Sequence, residues 1–344
     1  MALIIPEKYN RKLLGETTEI AIQKIKDSFQ RELAQALNLR RVTASLFVLS
    51  GTGINDDLNG TESPVSFPID SLGGRKAEVV HSLAKWKRMK LKAYDIAPGY
   101  GLYTDMNAIR TFEDLDNLHS LYVDQWDWEK TITADDRNLA YLKDTVSRIF
   151  KAIKKIEDDI YREFPHITPW LPDEVHFIHS EQLLREYPDL TPKERENRVA
   201  EKYGAVFIIG IGAPLSDGQP HDGRAPDYDD WISVNEDGYR GLNGDLMLWN
   251  PVLKTAFELS SMGIRVSPES LRKQLELRGC PDREGLEFHK SLLAGELPYS
   301  IGGGIGQSRL CMYLLQKAHI GEVQASIWPS DQIERCARAG IYLL

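Results

Sequence analysis

Cysteine is scarce: Cys280, Cys311 and Cys336 stand far apart, with no CxxC and an odd count. That usage excludes a disulfide framework and a zinc site, and it predicts a reduced, cytoplasmic chain. No apolar run approaches the ~20 residues of a membrane span, so no membrane partner is expected. Positive charge is also short: 42 Lys+Arg face 51 Asp+Glu, a net charge of −9. Such a surface repels phosphate backbones, which removes the cheapest driving force for binding nucleic acid. Internal repeats, low-complexity tracts and long Pro/Gly/Ser-rich linkers are missing as well. No Ser-His-Asp constellation with a nucleophile elbow is present.

What is there suits a globular enzyme. The 344 residues are 42% apolar and 27% charged, enough to bury a sizeable core and too apolar for long disorder. Ile22, Ile25, Phe29, Leu33 and Leu37 recur at three- and four-residue steps, an amphipathic helix over 17–39. Val146, Ile149, Ile153, Ile156 and Ile160 repeat that pattern over 144–164. Val42 to Leu49 and Ala205 to Ile211 are apolar and β-branched, the pattern of strands. Residues 101–128 and 245–260 have the pattern of antiparallel hairpins. Helices and strands mix without regular alternation, so the expected fold is α+β, a mostly antiparallel sheet flanked by helices. A single catalytic domain over 1–344 is expected.

Three segments carry chemistry. In the first, Asn250-Pro251 fits a tight turn. A hairpin closing there pairs residue 250 with 253 and sets Asp245 opposite Glu258. Like charges so placed cost up to ~1 kcal/mol, unless a hard cation such as Mg²⁺ sits between them. Two solvated edge carboxylates are the plainer alternative.

The second segment is Ile301-Gly302-Gly303-Gly304-Ile305-Gly306-Gln307-Ser308-Arg309, followed by an apolar helix. Its glycines admit close approach of a ligand, and Arg309 can meet a phosphate or stack on a base. Tight helix–sheet packing would explain the glycines equally. The segment is neither a P-loop nor a Rossmann fingerprint. In the third, strand alternation from Val123 to Trp128 aims Gln125 and Asp127 the same way, suited to reading an amino or amide group. Arg110 ends the preceding strand, where it can bond a phosphate.

Weaker features are set aside. Asn55 to Gly60 imitates the start of an EF-hand, but Ser66 stands where the twelfth-position Glu would be. His176 and His179 point opposite ways along one strand. Cys311 belongs to an apolar helix, as a core residue rather than a nucleophile.

Together the three segments resemble the catalytic core of class II aminoacyl-tRNA synthetases, in the aspartate and asparagine branch. Residues 302–329 resemble motif 3. Arg110 with His119, Gln125 and Asp127 resembles motif 2. Glu258 to Arg265 resembles the metal-binding strand and its following arginine. Ser82 and Lys87 match the serine and lysine that hold aspartate in that branch. Closer still is the family of ammonia-dependent asparagine synthetases, the aspartate–ammonia ligases. The runs His81-Ser82-Leu83-Ala84-Lys85-Trp86-Lys87-Arg88, Tyr122-Val123-Asp124-Gln125-Trp126-Asp127-Trp128, Arg224-Ala225-Pro226-Asp227-Tyr228-Asp229-Asp230-Trp231 and Phe257-Glu258-Leu259-Ser260-Ser261-Met262-Gly263-Ile264-Arg265 look like its signatures.

The resemblance implies a two-step ligase that joins L-aspartate and ammonia, using ATP and Mg²⁺, through β-aspartyl-AMP. It implies Asp56, Arg110, Gln125 and Asp127 as catalytic. Ser82, Lys87, Asp229, Ser260 and Arg265 would hold aspartate. Arg110, Arg224, Gly304, Gly306 and Arg309 would hold ATP, and Asp245, Glu258 and Ser261 would hold the metal. A homodimer is implied too, although Ser45 stands where motif 1 usually has an interface proline. Few residues precede the first helix and few follow Pro329, so no anticodon-binding domain is expected. A tRNA-charging enzyme and a silent nucleotide-binding paralogue are the alternatives.

Overall fold

The computed structural model describes residues 3–56 and 62–344. The strands in chain order are β1 (Leu39–Arg41), β2 (Phe47–Leu49), β3 (Ser66–Ile69), β4 (Arg75–Val79), β5 (Gly101–Ile109), β6 (Tyr122–Thr131), β7 (His176–His179), β8 (Ala205–Ile209), β9 (Asn243–Asn250), β10 (Thr255–Ile264) and β11 (Ser300–Gly306). The helices are α1 (Gly15–Leu37), α2 (Ala84–Ala93), α3 (Leu139–Glu163), α4 (Ser180–Glu186), α5 (Pro192–Tyr203), α6 (Pro268–Leu277), α7 (Glu287–Leu293), α8 (Gln307–Leu314) and α9 (Ser330–Arg338). The large sheet runs β1-β5-β6-β11-β10-β9-β8-β7, and a small sheet runs β2-β4-β3. Among the described residues only the outer pairs β1–β5 and β7–β8 are parallel, so the mostly antiparallel α+β expectation holds.

The two long amphipathic helices form with the buried faces the periodicity marked, although α1 stops at Leu37 because Leu39 opens β1, and α3 starts five residues earlier than expected, at Leu139. Ile22, Ile25, Phe29, Leu33 and Leu37 of α1 are buried, as are Val146, Ile149, Ile153, Ile156 and Ile160 of α3. Both belong to one core with the sheet face carrying Trp126, Trp128, Ile301, Ile305 and Met262, and the Phe29 and Trp126 rings lie 4.7 Å apart. Cys311 is in this core, its thiol pushed up to about 12 by burial.

One strand expectation is corrected. The run Val42–Leu49 splits, because its two ends serve different sheets. The Val42 N–H makes a last bond to Tyr103 (2.9 Å) beyond β1; residues 42–46 then cross to the small sheet, where β2 pairs with β4. Ser45 lies in this crossing, its hydroxyl accepting the Phe47 N–H. Of the EF-hand-like stretch, residues 57–60 lie outside the described residues. His176 and His179 are structural, stacked on Tyr203 and Tyr239 respectively.

Near the C-terminal end, fully buried His319 accepts the Gly321 N–H on Nδ1 at 3.0 Å, which requires a neutral ring. Burial, opposed by Asp116, lowers its pKa from 6.5 to about 4. The unfolded chain therefore binds the extra proton between those values. Stability from the neutral ring is complete above pH 6.5 and is lost as pH falls toward 4. His319→Asn keeps a capping acceptor, so its melting temperature should fall less steeply than the native protein's between pH 6.5 and 4.5. Parallel melting curves against pH would contradict this.

Candidate active site

Register decides which side chains share a face. Gln125 pairs with Gly306 and Asp127 with Gly304; Gly304 also pairs with Ser261, and Ser261 with Asp245. These residues lie on the face opposite Trp126 and Ile305. A cleft of about 430 Å³ opens there, bordered at one end by Lys87, Asp127 and Arg265 and at the other by Arg110, Glu258 and Arg309.

The expected cross-strand pair of Asp245 and Glu258 does not form. The hairpin closes through a four-residue loop, with Asn250 paired to Thr255. The Asn250 side chain accepts the N–H groups of Val252 and Leu253 (2.9 and 3.1 Å), and Lys254 takes a left-handed φ of 53°. Glu258 thus faces Met247, and a bulge at Leu259 shifts the register before Ser260. That extra residue returns Glu258 to the face of Ser261 and Asp245. The three expected metal residues share a face by a route the hairpin count did not foresee.

At the deeper end, α2 delivers Lys87 into the sheet, fully buried. Its Nζ lies 3.2 Å from Asp127 and donates to the carbonyls of Trp128 and Gly303 (3.0 and 3.1 Å). Burial lowers its pKa, while Asp127 and Glu129 favour the charge. Arg265 donates through Nε and Nη2 to Glu129 (3.0 and 2.8 Å) and through Nη1 to Asp229. Burial works against this guanidinium, yet Glu129 and Asp229 hold its pKa above the ordinary value. Ser82 borders the cleft just before α2, its hydroxyl accepting the Ala84 N–H.

The glycines of β11 have a reason other than a phosphate cradle. A Cβ at Gly304 would sit 2.2 Å from Gln125 Oε1 and 2.8 Å from Asp127 Oδ1, and one at Gly302 would sit 2.0 Å from Glu129 Oε2. They leave room for polar side chains that cross over them. A Cβ at Gly306 would touch the Arg309 stem at 3.0 Å. Ser260, expected to meet substrate, borders the cleft but donates its hydroxyl to the Gly304 carbonyl (2.8 Å).

At the outer end, Arg110 has Glu113 at 3.5 Å, and Arg309 donates to the Glu258 carbonyl at 2.8 Å, with its carboxylate 3.8 Å away. Arg224, expected at ATP, borders the cleft but is committed to Asp245 (2.5 Å), with Asp229 at 3.8 Å. Burial raises the Asp245 carboxyl to about 7; Arg224 opposes the shift, while Glu258 and Asp222 add to it. Tyr228, Asp222 and Glu129 were not singled out from sequence. Tyr228 stands in the Arg224–Trp231 run, which was the available signal; its ring lies 5.7 Å from the Arg265 guanidinium. Asp222 borders the cleft beside Arg224.

The architecture is that of the class II aminoacyl-tRNA synthetase catalytic core. An Entamoeba histolytica asparaginyl-tRNA synthetase solved with asparaginyl-adenylate superposes with a TM-score of 0.63 at 13% identity, covering 90% of this chain and 67% of that one. The Pyrococcus horikoshii enzyme, also with asparaginyl-adenylate, gives 0.58 at 14%, covering 91% and 70%. The model of the aspartate–ammonia ligase family matches residues 16–340, and the chain belongs to that family. An aspartate–ammonia ligase of Parabacteroides distasonis is 59% identical over 342 residues, 99% of both chains. That of Limosilactobacillus reuteri is 55% identical over 345 residues, 100% of both.

Proposed function

We propose that the chain condenses L-aspartate with ammonia to L-asparagine, consuming ATP through β-aspartyl-AMP and releasing AMP and pyrophosphate. The observation that carries this is the two-ended cleft: buried charges of both signs at Lys87, Asp127, Asp229 and Arg265, and arginines at Arg110 and Arg309. An amino acid needs both signs to hold its α-amino and α-carboxylate groups. Its β-carboxylate then points along the cleft toward a phosphate held by Arg110, with Arg309 on the ATP tail or adenine. Gly304 and Gly306 line the path between. Fixing two reactants this way converts a bimolecular encounter into a positioned one.

Glu258, Ser261 and Asp245 offer hard oxygens on one face, a donor set that fits Mg²⁺. Among the described residues no three acidic or imidazole side chains converge as a cage, which suits an ion held by one or two carboxylates plus substrate phosphates. When bound, the ion would neutralise phosphate charge. Asp56, Gln125 and Asp127 face the amino group or the incoming ammonia, and Asp229 holds Arg265 in place. We include a homodimer and a cytoplasmic location in this reading; among the described residues no helix is long and apolar enough to cross a membrane.

Products test the path. Attack on the α-phosphate leaves AMP and pyrophosphate, with the displacing oxygen coming from aspartate. Aspartate labelled with heavy oxygen in the β-carboxylate should pass one labelled atom to AMP. Recovery of ADP, or of unlabelled AMP, would exclude the adenylate.

A further inference from the structure

Asp56 is buried at 2% exposure and borders the cleft. Its backbone is bonded on both sides. The Asn55 side-chain oxygen accepts the N–H groups of Asp56 and His81, each at 2.9 Å. Asn55 Nδ2 donates to the Val79 carbonyl and to Glu78 (3.2 and 3.1 Å), which ties the loop to the end of β4. The fully buried His81 ring completes the latch, with Nδ1 3.1 Å from the Asp56 carbonyl oxygen. A carbonyl only accepts, so Nδ1 carries the proton. Phe112 holds the ring edge-on at 5.6 Å. The backbone carbonyl of the same histidine lies 3.5 Å from Arg110 Nη2, so the latch joins the Asp56 loop to the arginine assigned to phosphate.

We propose that His81, with Asn55, is a positioning residue that aims the Asp56 carboxylate at the nitrogen nucleophile, so that its removal impairs amidation and spares adenylate formation. With both sides of its backbone bonded, the Asp56 main chain is held in place, and with it the point from which the carboxylate reaches the cleft. Loosening one bond lets the carboxylate drift, and an ångström of misplacement is worth roughly 100-fold in rate. The inference rests on the reading of Asp56 as an ammonia-side group.

The half-reactions separate under two assays on the full chain: aspartate-dependent ATP–pyrophosphate exchange without ammonia, and asparagine formation against ammonium. For His81→Leu, exchange should stay within about threefold of native while kcat/KM for ammonium falls roughly 30- to 100-fold. His81→Asn places an amide donor near the Nδ1 position and should recover amidation to within about fivefold; His81→Gln, whose donor sits one bond farther out, should not. The Asn and Gln variants carry the test if the Leu variant does not fold. Hydroxylamine, uncharged at a pH where ammonium is mostly protonated, should partly restore product formation in His81→Leu and in Asp56→Asn alike. Equal loss of exchange and amidation in His81→Leu, or native amidation in it or in His81→Gln, would overturn the latch. If Asp56→Asn itself lowers exchange as much as amidation, the reading of Asp56 falls and the latch proposal falls with it. If Asp56→Asn loses amidation alone and the histidine variants do not, only the latch fails.

Discussion

Glu258→Gln should lower turnover roughly 100-fold at a Mg²⁺ concentration saturating for the native protein, about 2.7 kcal/mol of transition-state stabilisation. The fold should not register the change. The Glu258 side chain is 43% exposed, and Arg309 keeps its stronger bond to the Glu258 backbone carbonyl. What is lost is an anionic oxygen on the face it shares with Ser261, and an amide binds Mg²⁺ more weakly than a carboxylate. Raising Mg²⁺ should recover part of the rate. Full activity in Glu258→Ala at ordinary Mg²⁺ would remove this residue from the metal assignment.

Arg265→Lys should raise KM for aspartate about 10- to 100-fold, corresponding to the roughly 1.5–3 kcal/mol of a charge-assisted contact, with KM for ATP little changed. The guanidinium bridges Glu129 and Asp229 from different nitrogens, a geometry that the point charge of lysine cannot copy. Melting temperature should fall as well, because Glu129 loses bonds inside the sheet. The resemblance to tRNA-charging enzymes, which activate the α-carboxylate, implies a lysine and an arginine at these two places that meet the substrate side chain. Here the β-carboxylate reacts, so we propose that Lys87 and Arg265 hold the α-carboxylate. A structure with bound asparagine showing both residues at the amide end would refute that orientation.

Much of this fold was legible because its longest elements repeat a simple period. In α1 and α3 every apolar position counted from sequence is buried, and both hairpins exist. Pairing was less legible. Asn250 does start the turn, but its side chain serves the next two amides and lengthens the loop, while the Leu259 bulge adds a further offset. Neither feature shows in hydrophobic alternation. The buried ion pairs were hidden for a similar reason. Glu129 is one more charged residue in a strand until Arg265, 136 positions away, is folded against it. Arg224 was expected at ATP from the resemblance alone, and nothing in the sequence showed that Asp245, 21 positions on, folds beside it.

The bulge at Leu259 makes the stretch between Glu258 and Arg265 a ruler rather than a code. Seven steps separate the outer carboxylate from the inner guanidinium, and one of them carries no pairing partner. Exchanging a residue along it alters a local contact. Deleting one would remove the offset and turn Glu258 toward the hydrocarbon interior, away from the face of Ser261 and Asp245, even with every other side chain of the cleft present. Insertions and deletions in this strand should therefore be far less tolerated than substitutions, a constraint on chain length that composition does not reveal.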